Sequence, residues 1–177
     1  MKDYIIIIIS ILLLFTIFFI IQRTYTIQSN VSAITTSIQQ HLEEEVSSIE
    51  EYGISKSNSK IVIFKYGNKK GYAVFKENYF NKKLKMIFIK SNIFDKNNNI
   101  IHTNRGNYIL LSGNYHEKID YIVVKEGNKN HLFEVTLINE NIGHLYITLE
   151  TIPRKLTDTM LNDLMLYNKD NKPVFLE

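Results

Sequence analysis

Apolar residues fill Tyr4–Ile21 with only Ser10 and Thr16 between them, and the run carries no charge. At 1.5 Å per residue such a helix is roughly 27 Å long, close to the ~30 Å of bilayer hydrocarbon. A run apolar on every face predicts a membrane span rather than a core helix, which would keep one polar face. Tyr4 and Tyr25 flank it where amphipathic rings favour the interface, and Arg23 can snorkel there. A cleaved secretory signal is the competing reading. Its small-residue site would be Val31-Ser32-Ala33, well beyond a run already longer than the usual ~7–15 residues. An uncleaved anchor over residues 1–23 is the expectation, with the amino end inside and the remainder exported across the cell membrane.

The pattern then changes period. Ile27, Val31, Ile34, Ile38, Leu42, Val46 and Ile49 follow one another by three or four positions. That stripe predicts a helical stalk over 24–53, ended by Gly53. It is too narrow for a helix exposed on all sides, so it should pack on the following domain or self-associate with a second copy. From residue 54 to 177 the period shortens towards two. Lys60–Tyr66, Tyr72–Glu77, Lys83–Lys90, Tyr108–Leu111, Ile119–Lys125, His131–Ile138 and His144–Glu150 read as strands. Gly-Asn occurs four times, each beside an apolar run, as turns require. Pro153–Leu164 reads as one short helix, because proline suits a first helical turn. Asp163–Tyr167 and Pro173–Leu176 read as a terminal hairpin. The expected fold is therefore mainly β: an antiparallel β-sandwich or barrel-like domain, preceded by a transmembrane helix and a helical stalk.

Composition narrows the chemistry. The 177 residues include no cysteine, which excludes disulfides, thiolate metal sites and cysteine nucleophiles. The net charge of +3 hides a strong segregation. Residues 24–55 carry −5, residues 56–105 carry +10, and residues 106–177 carry −3. The basic block supplies a candidate face: Lys60, Lys65, Lys69, Lys70, Lys76, Lys82, Lys83, Lys85 and Lys90, interleaved with Tyr66, Tyr72 and Tyr79. Such a face would attract lipid headgroups, an anionic cell-surface polymer or a protein partner. Nucleic acid is disfavoured, since the chain has only three arginines and no recognition motif.

Catalytic patterns are missing. No histidine pair has the H-E-x-x-H spacing, and Ser112-Gly113 lacks the G-x-S-x-G elbow. His41 and Glu45 have helical i, i+4 spacing but supply only two ligands. His131 and Glu134, three apart in a strand, point to opposite faces. His116-Glu117, near Asp120, reads as a hydrated loop. Gly67–Gly71 reads as a hairpin connection rather than a phosphate loop, and Asp95–Asn99 as a turn lacking the bidentate Glu of a calcium loop. No catalytic residue, metal or cofactor is expected.

Ile119–Leu137 (IDYIVVKEGNKNHLFEVTL) and Leu164–Phe175 (LMLYNKDNKPVF) resemble the strand-turn-strand phrases of small membrane-anchored extracytoplasmic proteins of Gram-positive bacteria. That resemblance implies an exported β domain without catalytic residues. The anchor-helix-β plan is also similar to type IV pilin-like proteins. The chain departs from them, having no Gly before Phe-Thr-Leu and no Glu within Tyr4–Ile21.

Overall fold

The structure is a computed structural model that describes residues 2–55, 57–93, 97–126, 128–139, 144–153 and 164–175. Helix α1 (Lys2–Thr24) contains the apolar run. Tyr4–Thr24 is long and apolar enough to cross a membrane, and none of it is buried against the rest of the chain. The two hydroxyls inside the apolar run are satisfied within the helix: Ser10 and Thr16 donate to the carbonyls of Ile6 and Leu12 at 2.9 and 2.8 Å. A hydroxyl bonded in this way exposes no free donor to lipid.

Only part of the expected stalk is helical. Helix α2 (Val31–Leu42) starts at Asn30, whose side chain accepts from the Ala33 N–H at 2.8 Å. It ends where Glu43 turns left-handed at φ 58°. Ile34 and Ile38 are fully buried. Of the two outcomes open to the stripe, packing on the domain is the one that α2 adopts. Residues 46–53 correct the helical expectation: strand β1 (Val46–Gly53) pairs with β2 (Ser59–Tyr66). Val46 and Ile49, three apart, pack into one cluster because the register slips by one residue between Val46 and Ser48. A β-bulge at that point imitates the spacing of a helix face.

Strands β1, β2, β3 (Lys69–Glu77) and β4 (Leu84–Lys90) form a four-stranded antiparallel sheet in sequence order. The second sheet holds β5 (Asn97–His102), β6 (Asn107–Gly113), β7 (Tyr121–Glu126), β8 (Lys129–Asn139), β9 (His144–Thr148) and β10 (Met165–Tyr167). Its order is β10-β7-β8-β9-β6-β5, also antiparallel. Neither sheet closes on itself, which corrects the barrel-like alternative. The chain forms two open antiparallel sheets, with β1 and β4 at the edges of one and β5 and β10 at the edges of the other.

Three apolar clusters hold these layers. Ile34 and Ile38 of α2 cover Val62, Phe64, Ala73 and Phe75 on the outer face of the first sheet. Between the sheets, Ile61, Ile63, Tyr72 and Val74 meet Tyr108, Leu110, Leu145 and Ile147. On the far face of the second sheet, Ile109, Leu111, Ile122, Val124, Phe133 and Tyr146 gather with Val174 from the carboxyl-terminal segment. Strands covered on both faces read as unbroken apolar runs, as in Ile61–Phe64 and Tyr108–Leu111, where alternation disappears.

Other expectations shift in detail. Asn97–Asn99, read as a turn, belongs to β5. The turn between β2 and β3 is Gly67-Asn68 alone, since Lys69–Gly71 are already in β3. The terminal hairpin is held by β10, a Tyr167–Pro173 bridge, and bonds from the Asn168 N–H to the Lys172 carbonyl at 3.0 Å and from the Val174 N–H to the Leu166 carbonyl at 2.8 Å; its expected ends at 163 and 176 lie outside the described residues. The short helix expected over Pro153–Leu164 falls on 154–163, which lie outside the described residues.

Candidate functional site

The nine lysines do not form one continuous face. Cross-strand partners share a face, and Lys65 lies opposite Lys70 while Lys76 lies opposite Lys85. Tyr72 and Val74 stand between Lys70 and Lys76 on the same side of β3, and both are buried against the second sheet. Packing therefore divides the basic block into two rims, roughly 20 Å apart at 3.3 Å per residue. Lys65, Lys69, Lys70 and Lys90 stand at the end that carries the Gly67-Asn68 turn, Lys69 on the α2 side of the sheet with Tyr66 and the other three on the side of the second sheet. Lys76, Lys82, Lys83 and Lys85 stand at the other end. Lys60 belongs to neither. It lies beside α2, where Nζ contacts Glu51 Oε2 at 2.6 Å and Ser29 Oγ at 3.3 Å.

Acidic residues approach both rims. Glu44 shares a shallow depression with Lys69 and Tyr66, so the acidic α2–β1 turn borders the first. Glu77 pairs with Lys82 at 3.0 Å in the second. Partly exposed pairs of this kind contribute about 0–1 kcal/mol, so they temper the local positive potential without fixing the architecture.

The acid/base candidates serve structural roles. His116 Nδ1 lies 2.8 Å from the Phe175 carbonyl, and its ring stacks on Phe175 at 13°. Glu117 accepts a hydrogen bond from the Asn168 side chain and lies 3.9 Å from His116. These contacts tie the carboxyl-terminal segment to the second sheet. Among the described residues no three His, Asp or Glu side chains gather as a metal site would need. A cleft of about 280 Å³ opens between the sheets, lined by Tyr52, Ile61, Tyr108, Leu137 and Ile147. Its polar groups are mainly hydroxyls, and Thr148 Oγ1 already accepts from the Ile109 N–H at 3.2 Å. That cleft can shelter an apolar group; its titratable lining groups are the phenols of Tyr52 and Tyr108, and the Tyr52 hydroxyl donates to Glu50 Oε2 at 2.9 Å.

Two buried phenols are held neutral. Burial pushes the Tyr72 hydroxyl up, against hydrogen bonding by Ser112 and Asn99 that lowers it. Burial, reinforced by Tyr146 and Tyr72, raises Tyr115 further. Both act as packing residues whose hydroxyls reach polar partners: Tyr72 accepts from the Asn99 amide at 3.0 Å.

Tyr79, read from sequence as one of the tyrosines among the lysines, is joined by Phe80 in an exposed aromatic pair. Between β3 and β4, Tyr79 and Phe80 are 79% and 85% exposed and meet edge-on at 5.8 Å. The signal was present in the sequence as two adjacent aromatics inside an otherwise polar Asn/Lys turn. Comparison with protein-family models, curated proteins and solved structures finds no match for this chain.

Proposed function

We propose that this chain is a single-pass, membrane-tethered β-sandwich module on the extracytoplasmic side of the cell membrane, acting by binding or scaffolding rather than by catalysis. The observation that carries this reading is α1, an apolar helix of spanning length whose described side chains from Tyr4 to Ile20 are exposed. A short link over residues 25–30 joins it to α2, which packs on the first sheet. The same link ties domain to anchor: Ile27 exchanges two backbone hydrogen bonds with Leu84, at 3.1 and 2.7 Å. The domain thus sits close to the bilayer rather than at the tip of a stalk.

The rim of Lys65, Lys69, Lys70 and Lys90 is the binding surface of this proposal, and an anionic surface polymer is the chemistry that it fits. The chain contains no cysteine, so Lys69→Cys makes a clean topology probe. A membrane-impermeant maleimide should label this variant on intact cells. Labelling that appears only after permeabilisation would refute the extracytoplasmic placement.

A further inference from the structure

We infer that the turn Asn78–Lys83 is a second membrane contact: Tyr79 and Phe80 enter the bilayer interface beside α1, and the neighbouring lysines meet lipid phosphate oxygens. The inference rests on the reading of α1 as a membrane span.

Chain geometry brings the turn to the membrane surface. Ile27 lies three residues beyond the end of α1, a reach of at most about 10 Å in extended chain. Its bridge partner Leu84 directly follows the turn. The turn also lies against the helix itself, where the Asn81 amide faces Gln22 Oε1 at 3.5 Å. Phe80 lines a cleft of about 650 Å³ together with Leu14, Phe15, Ile17 and Phe18 of α1. Those four residues stand four to eight positions before Gln22, about 6–12 Å deeper along the helix at 1.5 Å per residue. With Gln22 and Arg23 at the polar end of the span, a ring in that cleft lies on the hydrocarbon side of them.

The chemistry suits an interface. Two exposed adjacent aromatics are costly in water and favourable at a membrane boundary, where Tyr keeps its hydroxyl at headgroup level. Lys82 Nζ lies 5.6 Å from the Tyr79 ring centroid, and Lys83, Lys76 and Lys85 stand at the same end of the sheet, where their stems can extend ammonium groups to phosphates. Glu77 offsets Lys82 in part, leaving the group net positive. The turn is also pre-formed. Asn78 Oδ1 accepts from the Phe80 N–H at 2.9 Å, Asn81 Oδ1 accepts from the Lys83 N–H at 3.0 Å, and Lys82 is left-handed at φ 56°. A turn already fixed in this way loses little conformational freedom on insertion. Two attachment points, helix and turn, would set the orientation of the domain and direct the Lys65–Lys70 rim away from the bilayer.

The chain has no tryptophan, so single-Trp variants of the full-length protein report position directly. Phe80→Trp, Phe15→Trp and Leu132→Trp are each reconstituted in phosphatidylcholine bilayers with brominated acyl chains. Bromine quenches only a nearby indole, so Phe80→Trp and Phe15→Trp should each dim roughly twofold or more while Leu132→Trp, on β8, stays bright. Quenching of Phe15→Trp alone would overturn the turn contact and leave the span standing; quenching of neither would remove both. Leu132→Trp dimming as strongly as Phe80→Trp would also overturn the proposal, since the turn would then have no special position. Adding Lys82→Glu and Lys83→Glu to Phe80→Trp should weaken its quenching, and unchanged quenching would remove the lysines from the contact.

Discussion

Gly71 shows how one residue can be dictated by its neighbours across the sheet. A Cβ at this position would lie 2.4 Å from both the Lys90 carbonyl oxygen and Phe64 Cζ. Phe64 is fully buried and the carbonyl is backbone, so neither can easily withdraw. Gly71→Ala is expected to cost about 1–3 kcal/mol, the range of overpacking, seen as a lower midpoint in denaturant unfolding. From sequence alone Gly71 reads as the end of a hairpin loop, because nothing local indicates that Phe64 will lie across it. Ile87 illustrates the same limit. The Lys83–Lys90 segment alternates as a half-buried strand should, but the register slips opposite Val74 and Phe75. Leu84 and Met86 consequently face α2, Phe88 faces the second sheet, and Ile87 is left half-exposed. A bulge is set by cross-strand pairing, which the local pattern does not encode.

At the scale of elements, α2 and β1 share one apolar stripe and take different structures. Asn30 and Glu43 bound the helix through capping geometry, and the stripe beyond it is completed by a strand. Helix periodicity is a local signal, whereas β1 forms because β2 offers an unpaired edge next to it. Tertiary pairing overrides the pattern there. The helical portion depends on its buried face. Ile38→Ala would leave a cavity against Val62, Phe64 and Phe75 and should cost about 2–5 kcal/mol. Thermal unfolding checks this, and Thr36→Ala on the exposed side of the same helix serves as the comparison. If both substitutions were equally mild, α2 would contribute little to the domain.

Across the whole molecule, two of the three apolar clusters include a tyrosine whose hydroxyl is held neutral. The folded-state pKa values of Tyr72 and Tyr115 lie above the ordinary value of 10.0, mainly through burial. The unfolded chain would ionise these phenols near that ordinary value, while the folded chain keeps them protonated. Stability from this source is therefore complete below about pH 10 and is lost as the pH rises through and beyond it. The melting temperature should fall on the alkaline side of that point, and Tyr115→Phe should make the fall shallower. A variant with an unchanged slope would show that Tyr115 is free to ionise in the fold. The packing that encloses Tyr72 also separates the two lysine rims, so the inter-sheet core contributes to alkaline stability as well as to the distribution of surface charge, while Tyr115 acts from the far face of the second sheet.

What the sequence determined unaided was local or compositional. The uncharged run of α1, most strand segments, the presence of a turn after Tyr66 and the segregation of charge all depend on nearest neighbours and on period. The tertiary structure decided whatever depends on residues distant in the chain. It turned the end of a helical stripe into β1, left both sheets open, parted a basic block into two rims, and brought Phe80 beside α1. The reason is that side-chain period assigns a residue to a face, but only pairing and packing determine what covers that face. For the lysines that difference is decisive: their charge is readable one residue at a time, and their grouping is not.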